Sequence, residues 1–161
     1  MSEKTMIERL RADARQALEL HERSRSLLVA AVRAGVSAGL SQRDIAAAIG
    51  RSQPEVSRLL RFHGTSELGR RLSANRKKII DITAAQGLRN VRVFGSVARG
   101  TDTAASDVDL LVDIPDGIGL FALSRLENDI AQIIGADVDL IPARSLRNNL
   151  AGQVLREAIP L

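Results

Sequence analysis

The sequence predicts two domains, an N-terminal all-α domain over residues 1–66 and an α/β domain with a short mixed sheet over residues 67–161. Apolar residues recur at three- and four-residue spacings in the first part, which is the pattern of amphipathic helices. After about residue 90, short apolar runs typical of strands alternate with helical segments. The charge changes in parallel, since residues 1–78 have a net charge of +8 and residues 79–161 one of −4.

Composition limits the function classes. Hydrophobic residues make up 45% of the 161 residues, which is enough for a buried core. Cysteine is absent, so a thiol nucleophile, a cysteine-ligated zinc site and a disulfide framework are excluded. No apolar stretch approaches the ~20 residues of a membrane span, and the N-terminus lacks the apolar core of a signal peptide. We therefore expect a soluble, cytoplasmic protein. The basic first half is either a polyanion-binding module or a solvated, arginine-rich helical surface.

A long apolar stripe predicts the first helix, from Glu3 to about Arg33. The stripe contains Met6, Leu10, Ala14, Ala17 and Leu20 and resumes at Leu27. Polar residues 21–25 interrupt it, so one long helix and two shorter helices both fit. Gly35 and Gly39 are expected to mark its end. The stripe from Met6 to Leu20 is the candidate interface of a homodimer, unless it packs within its own domain.

Two short helices with a tight turn between them follow, at residues 41–49 and at residues 52 to about 62. Gly50 tolerates the positive φ that the turn needs, and the small Ala46 lets the two helix axes approach closely. Capping boxes are predicted at Ser41 with Asp44 and at Ser52 with Glu55. The residues that hold the pair together are Ile45, Ile49, Val56 and Leu59. This is the spacing of a DNA-binding helix-turn-helix.

The outward side chains of this pair can reach base edges and phosphates. The candidate DNA-binding residues are Gln42, Arg51, Gln53, Ser57, Arg58 and Arg61. Residues 25–62 resemble the helix-turn-helix of phage-repressor-type transcription regulators, and this resemblance implies binding to double-stranded operator DNA. A plain helical hairpin, or a pair of helices used for dimer contacts, would show a similar pattern.

The second half begins with a helical, basic connector over residues 67–78. Strands are predicted at about residues 90–94, 108–114 and 137–141, and helices at about residues 75–86, 120–134 and 149–158. The first strand ends in Gly95-Ser96 at the start of a short helix. Glycine lets the backbone approach a phosphate, and serine adds a hydroxyl beside N–H groups, so this turn is a candidate site for a triphosphate.

An Asp-x-Asp pair stands at the head of the second apolar strand. Residues two apart in a strand point to the same face, so Asp107 and Asp109 converge. Converging carboxylates repel unless a divalent cation lies between them, and hard oxygen ligands beside a triphosphate imply Mg²⁺ or Mn²⁺. Asp139, in the third strand, is the choice for a third ligand and for the base that accepts a hydroxyl proton. Asp137 is expected to begin that strand.

These motifs resemble the DNA polymerase β-type nucleotidyltransferase superfamily, whose Gly-Ser and Asp-x-Asp stand here as Gly95-Ser96 and Asp107-x-Asp109. More narrowly, residues 75–161 resemble the minimal nucleotidyltransferases of prokaryotic toxin–antitoxin pairs, through FGSVARG, SDVDLLVDI, VDLIP and LREAIPL. Many of that group have arginine where Val97 stands, so nucleotide binding is expected to be weaker. The basic Arg99 either approaches a phosphate or caps the loop, and Ser106 is a further candidate for nucleotide binding.

The resemblance implies a Mg²⁺-dependent antitoxin with ATP as nucleotide donor. It would transfer AMP to a hydroxyl, expected to be a tyrosine, of a separate toxin of the HEPN ribonuclease type, and would bind the operator of its own operon. The alternative is a non-catalytic DNA-binding repressor whose transferase-like domain only docks on the toxin. An enzyme acting on a small molecule is a third hypothesis, against which the absence of a spare substrate-binding domain argues.

Overall fold

A computed structural model describes residues 3–161, which divide into two compact units, up to Leu60 and from Arg61 to Leu161. The predicted fold class is confirmed: a helical N-terminal region precedes a mixed α/β region with a four-stranded sheet. The division lies before the expected boundary after residue 66, because Phe62 already belongs to the hydrophobic core of the second unit. No helix within residues 3–161 is both long enough and apolar enough to cross a membrane.

The first unit contains three helices, α1 (Glu3–Ser37), α2 (Gln42–Ile49) and α3 (Gln53–Leu59). Helix α1 is continuous, so the alternative of two shorter helices is wrong, as is the expected end near Arg33. Gly35 lies inside α1, and a Cβ added there would meet the side chain of Ile45 at 2.9 Å. This glycine therefore allows α2 to pack closely on α1 instead of ending the helix.

A small core holds the three helices of the first unit together. It consists of Val32, Ile45, Ala46 and Val56, with Ile49, Leu59 and Leu60 packed against it. These include all the residues that the sequence predicted to face inward. Because Val32 is the one buried residue of α1 among those described, most of the length of this helix stays outside the core.

Local side-chain chemistry fixes both ends of the turn between α2 and α3. Ser41 and Ser52 form complete capping boxes with Asp44 and Glu55, and both predicted boxes are confirmed. Gly50 ends α2 in the left-handed region with φ 66°, as the turn requires.

The expected end of α3 near Phe62 is wrong, because the helix ends at Leu59. The backbone N–H of Phe62 donates to the carbonyl of Pro160 at 2.6 Å, and the Phe62 ring is buried. The chain after Leu60 therefore packs within the second unit and does not continue α3. Arg61 consequently lies outside α3, and not on its outward face.

The second unit has five helices and four strands. The helices are α4 (Glu67–Ala74), α5 (Arg76–Ala85), α6 (Gly95–Arg99), α7 (Leu120–Ile134) and α8 (Asn148–Glu157), with a 3-10 turn at Ala143–Ser145. The strands are β1 (Arg89–Phe94), β2 (Val108–Asp113), β3 (Val138–Pro142) and β4 (Ile159–Pro160). Sequence patterns did not predict β4, since two residues show no periodicity.

The sheet has the order β3-β2-β1-β4. Strands β2 and β3 are parallel, whereas β1 is antiparallel to both β2 and β4. The apolar run Leu110–Val112 is buried in β2, as expected of a strand covered on both faces. Helix α7 buries a stripe that consists of Leu123, Leu126, Ile130 and Ile134. This packing fixes the strand ends that carry the candidate site.

Candidate active site

One edge of the sheet collects the predicted catalytic residues. Because β1 is antiparallel to β2, the end of β1 lies beside the start of β2, and Phe94 pairs with Asp109. Because β2 and β3 are parallel, their starts also lie side by side, and Asp109 pairs with Asp139. The turn after Phe94 and the two aspartates are therefore neighbours, although Asp109 and Asp139 are 30 residues apart in the chain.

Gly95 joins the turn to the carboxylates. Its φ is +72°, a conformation that other residues adopt only at a cost of about 1–2 kcal/mol. A Cβ at this position would lie 2.4 Å from Oδ2 of Asp109, which is closer than real Cβ atoms come to any neighbour. A glycine is thus required both for the turn and for the space that the Asp109 carboxylate occupies.

The carboxylates form an electrostatically coupled group. Partial burial raises the pKa of Asp109 above its usual range, and the nearby charges of Asp139 and Asp107 raise it further. Arg99 opposes this shift in pKa. Asp107 and Asp139 are exposed, while Asp109 is half-buried. The site therefore concentrates negative charge that a bound cation would relieve.

A Mg²⁺ ion fits this donor set. Within residues 3–161, no three histidine or carboxylate side chains lie close enough together to form a preformed metal cage. Magnesium does not need one, because it keeps several waters and is usually held by one or two carboxylates together with substrate phosphates. Asp107 and Asp109, with Asp139 beside them, supply oxygen ligands of that kind at the edge of the sheet.

Val97 does not face the carboxylates. Its side chain is 2% exposed and belongs to the hydrophobic core of the second unit. A positive charge at this backbone position would have to turn away from the core to reach a nucleotide. Valine here is thus explained by packing, and the local cation that acts on Asp109 is Arg99.

Arg99 and Ser106, which the sequence predicted to bind the nucleotide along with Gly95 and Ser96, have protein partners. Nη1 of Arg99 donates to Oε2 of Glu157 at 3.1 Å. Sequence analysis did not identify Glu157 as part of the site. Since 58 positions separate the two, no local motif could have indicated this pair. Oγ of Ser106 accepts from the backbone N–H of Thr103 at 2.8 Å, so Ser106 stabilises the loop before Asp107.

Of the candidate DNA-binding residues, Gln42 begins α2, Arg51 precedes α3, Gln53 begins α3, Ser57 and Arg58 lie in its second half, and Arg61 lies outside it. Nε2 of Gln53 donates to Oε1 of Gln42 at 2.7 Å, which ties together the first residues of α3 and α2. Arg51 forms a salt bridge of 3.6 Å with Glu55. The hydrogen bonds that Ser52 donates, its backbone N–H first, lower the pKa of Glu55, with a smaller contribution from Arg51. Glu55 is therefore a helix cap, as predicted.

Residues 76–161 match the family model described as the nucleotidyltransferase domain. The chain belongs to this family. It is a nucleotidyltransferase, and both the Gly95-Ser96 turn and the aspartates beside it lie within the matched residues.

Two curated relatives and one solved structure are similar to this nucleotidyltransferase. A proposed protein adenylyltransferase of Methanocaldococcus jannaschii is 33% identical over 84 residues, which are 52% of this chain and 90% of the relative. The protein adenylyltransferase MntA of Thermococcus cleftensis is 40% identical over 73 residues, which are 45% of this chain and 74% of the relative. A solved structure of a proposed minimal nucleotidyltransferase is 44% identical in sequence, with a TM-score of 0.52. The matched region is 56% of this chain and 92% of the chain in that structure.

Replacing Asp109 with Asn should stabilise the fold at neutral pH but not in acid. A carboxyl whose pKa rises on folding binds its proton more tightly in the folded state, so the native charge costs stability as pH rises through the raised pKa. Below the ordinary pKa of about 3.9, both states are protonated and the cost vanishes. After allowance for solvent screening we expect a gain of a few tenths of a kcal/mol at pH 7, or about 1 °C in Tm.

The matched control is Asp113→Asn at the other end of β2. Asp113 accepts hydrogen bonds from Arg92 at 2.8 Å and from Asn90 at 2.6 Å, so its replacement should lower Tm at pH 7. Calorimetry of both variants at pH 7 and pH 3.5 checks the difference in sign. A lower Tm for Asp109→Asn at pH 7 would show that burial and repulsion together do not make the charge of this carboxylate unfavourable.

Proposed function

We propose that this nucleotidyltransferase is an antitoxin that transfers AMP from ATP to a hydroxyl, expected to be a tyrosine, of a separate toxin of the HEPN type. The observation that carries the proposal is the meeting of Gly95, Asp109 and Asp139 at one edge of the sheet. Two similar proteins are named protein adenylyltransferases, which supports AMP as the group and a protein as the acceptor. The motifs shared with minimal nucleotidyltransferases of toxin–antitoxin pairs support a toxin as that protein.

The residues have distinct tasks in this reaction. Asp107 and Asp109 would hold a Mg²⁺ ion, which would neutralise phosphate charge at the site. The Gly95-Ser96 turn receives the triphosphate, because glycine leaves room for a phosphate close to the backbone and serine offers its hydroxyl. Arg99 contributes a positive charge at the same edge, where it already acts on Asp109.

The transfer is an in-line displacement at phosphorus. The acceptor oxygen forms a bond to the α-phosphorus of ATP, and the bond from that phosphorus to the bridging oxygen of the β-phosphate breaks. Asp139 takes the hydroxyl proton, and pyrophosphate leaves with the bonding electrons. Positioning and charge neutralisation supply most of the rate enhancement in such reactions, which suits a small domain built around one carboxylate edge.

Replacing both Asp107 and Asp109 with Asn should abolish transfer. The substitution keeps the shape of the strand but removes both carboxylates from the metal site, so labelled AMP should no longer pass from ATP to the toxin. The measurement is incubation of the full chain with labelled ATP, Mg²⁺ and the toxin, together with rescue of cells that express the toxin. Asp116→Asn with Asp129→Asn removes two exposed charges elsewhere in the same unit and should leave transfer unchanged.

The cell assay also tests the non-catalytic alternative, a repressor whose transferase-like unit only docks on the toxin. Full rescue by the double Asn variant would show that catalysis is dispensable and would favour docking. Loss of rescue together with retained toxin binding, measured by co-purification, supports the enzymatic antitoxin.

We further propose that α2 and α3 form a helix-turn-helix that binds operator DNA. The two complete capping boxes, the left-handed Gly50 and the shared core give the pair the local geometry that this motif needs. The hydrogen bond between Gln53 and Gln42 holds a polar side chain at the start of α3 against one at the start of α2. In helix-turn-helix proteins, the start of the second helix is the part that contacts base edges in the major groove.

Arg58→Ala should weaken operator binding by about 1–3 kcal/mol if Arg58 contacts a base. Affinity should also fall steeply with rising salt, because bound arginine releases counterions from phosphates. Fluorescence anisotropy with the promoter DNA of the operon measures both effects. Arg15→Ala, on the exposed part of α1, removes the same charge and should cost far less. Equal losses in both variants, or binding that does not depend on salt, would refute recognition by α3.

We also propose that α1 mediates a homodimer on the operator. Its apolar stripe does not pack within the first unit, since Met6 is 41%, Leu10 59% and Leu20 60% exposed. A helix stabilised mainly by its own hydrogen bonds is marginal in water, so a covered apolar face would stabilise α1. We infer that a second copy of this chain covers the stripe, because helix-turn-helix proteins commonly bind two adjacent DNA half-sites as dimers.

A pair of alanines on opposite faces of α1 tests the dimer. Ala14→Glu places a charge in the stripe and should convert the chain to a monomer in sedimentation. Ala12→Glu makes the same change about 160° around the helix and should leave the dimer intact. Both alanines are exposed, so neither variant is expected to disturb the core of the unit. A monomeric wild-type chain, both free and on a palindromic site, would remove the proposal.

A further inference from the structure

The contact between Arg99 and Glu157 links α6 to the last residues of the chain. The Gly95-Ser96 turn at the start of α6 is the proposed triphosphate site and is called the nucleotide turn below. Arg99 is the last residue of α6, and Ser96 lies three positions earlier, so both side chains share one face of this short helix. Nη1 of Arg99 donates to Oε2 of Glu157 at 3.1 Å, while Nε2 of Gln153 donates to Oε1 of Glu157 at 2.9 Å. Both oxygens of Glu157 are therefore engaged.

The sheet holds Glu157 in place even though α8 is exposed. None of the residues of α8 is buried. Two positions after Glu157, however, Ile159 pairs with Val93 of β1, and Val93 stands two positions before Gly95. The pairing of β4 with β1 thus fixes the carboxylate of Glu157 relative to the nucleotide turn.

Arg99 would have other partners if Glu157 were absent. The positive charge of Arg99 already lowers the pKa of Asp109. A guanidinium also pairs readily with carboxylates through two parallel hydrogen bonds. An arginine released from Glu157 could turn to the aspartates and occupy the position that a divalent cation needs. The side chain of Arg99 is long and 52% exposed, which leaves it room to change its orientation.

We propose that Glu157 is a positioning residue, which keeps Arg99 off the catalytic aspartates and directs its remaining N–H donors to the triphosphate. This inference rests on the proposed function, because it assumes that the edge binds a metal and a nucleotide. Glu157 does not touch the nucleotide itself. Its effect passes through Arg99 and is therefore conditional on that side chain.

The test is binding of Mn²⁺ with an ATP analogue that has a methylene bridge between the α- and β-phosphorus, measured on the full chain by calorimetry. Glu157→Gln should raise the Kd about tenfold, because the freed Arg99 competes with the cation for the aspartates. Glu157→Asp keeps the charge and should show a smaller increase. The double variant Glu157→Gln with Arg99→Gln should bind no more weakly than Arg99→Gln alone, since the competing cation is gone.

Asp116→Asn is the matched control, because it breaks another exposed contact between distant segments of the same unit, that of Asp116 with Arg144 at 2.9 Å. It should leave the Kd unchanged. A Glu157→Gln variant that binds like the wild type, or losses that multiply in the double variant, would overturn the inference while leaving the proposed function intact. A wild-type chain that neither binds the analogue nor transfers AMP would overturn both.

Discussion

The strand register that holds Asp109 beside Asp139 is the constraint on which the candidate site of the second unit depends. Asp109 and Asp139 are held side by side by strand register, and they cannot separate without moving β2 against β3. Their neighbours Val108, Leu110 and Val138 are buried, so a slip by one residue would carry a carboxylate into the core and expose an apolar side chain. Hydrophobic packing thus keeps Asp109 partly buried and near other carboxylates, which raises its pKa, and a bound cation would relieve this cost.

The approach of Gly95 to Asp109 makes the nucleotide turn and the carboxylate edge a single structure. Strand pairing between Phe94 and Asp109 brings the two backbones together, and the missing Cβ leaves room for the Asp109 oxygen. The buried Val97 then anchors α6 in the core from the other side. A phosphate bound at the turn would consequently lie beside the proposed metal ligands, which is the geometry that transfer at the α-phosphorus requires.

Features encoded by neighbouring residues could be predicted from the sequence, whereas those that depend on distant contacts could not. The capping boxes follow from spacings of three residues, and the structure has both boxes. Of the Asp-x-Asp pair, Asp109 lies in β2, whereas Asp107 precedes the strand. The end of α3 depends instead on the hydrogen bond between Phe62 and Pro160, 98 positions away in the chain. Glu157 was missed for the same reason, because only the pairing of β4 with β1 brings it near Arg99.

Binding of a nucleoside triphosphate and binding of duplex DNA require different charges on the protein. Residues 79–161 have a net charge of −4, and their carboxylate edge would repel a phosphate chain unless a cation intervened. A nucleoside triphosphate brings such a cation with it, since Mg²⁺ binds phosphates and carboxylates together. Duplex DNA offers no comparable chelating group at each phosphate and is attracted by arginine and lysine. Only +3 of the net charge of +8 over residues 1–78 lies in the first unit, up to Leu60, so the DNA-binding proposal depends on the geometry of α2 and α3 and not on net charge.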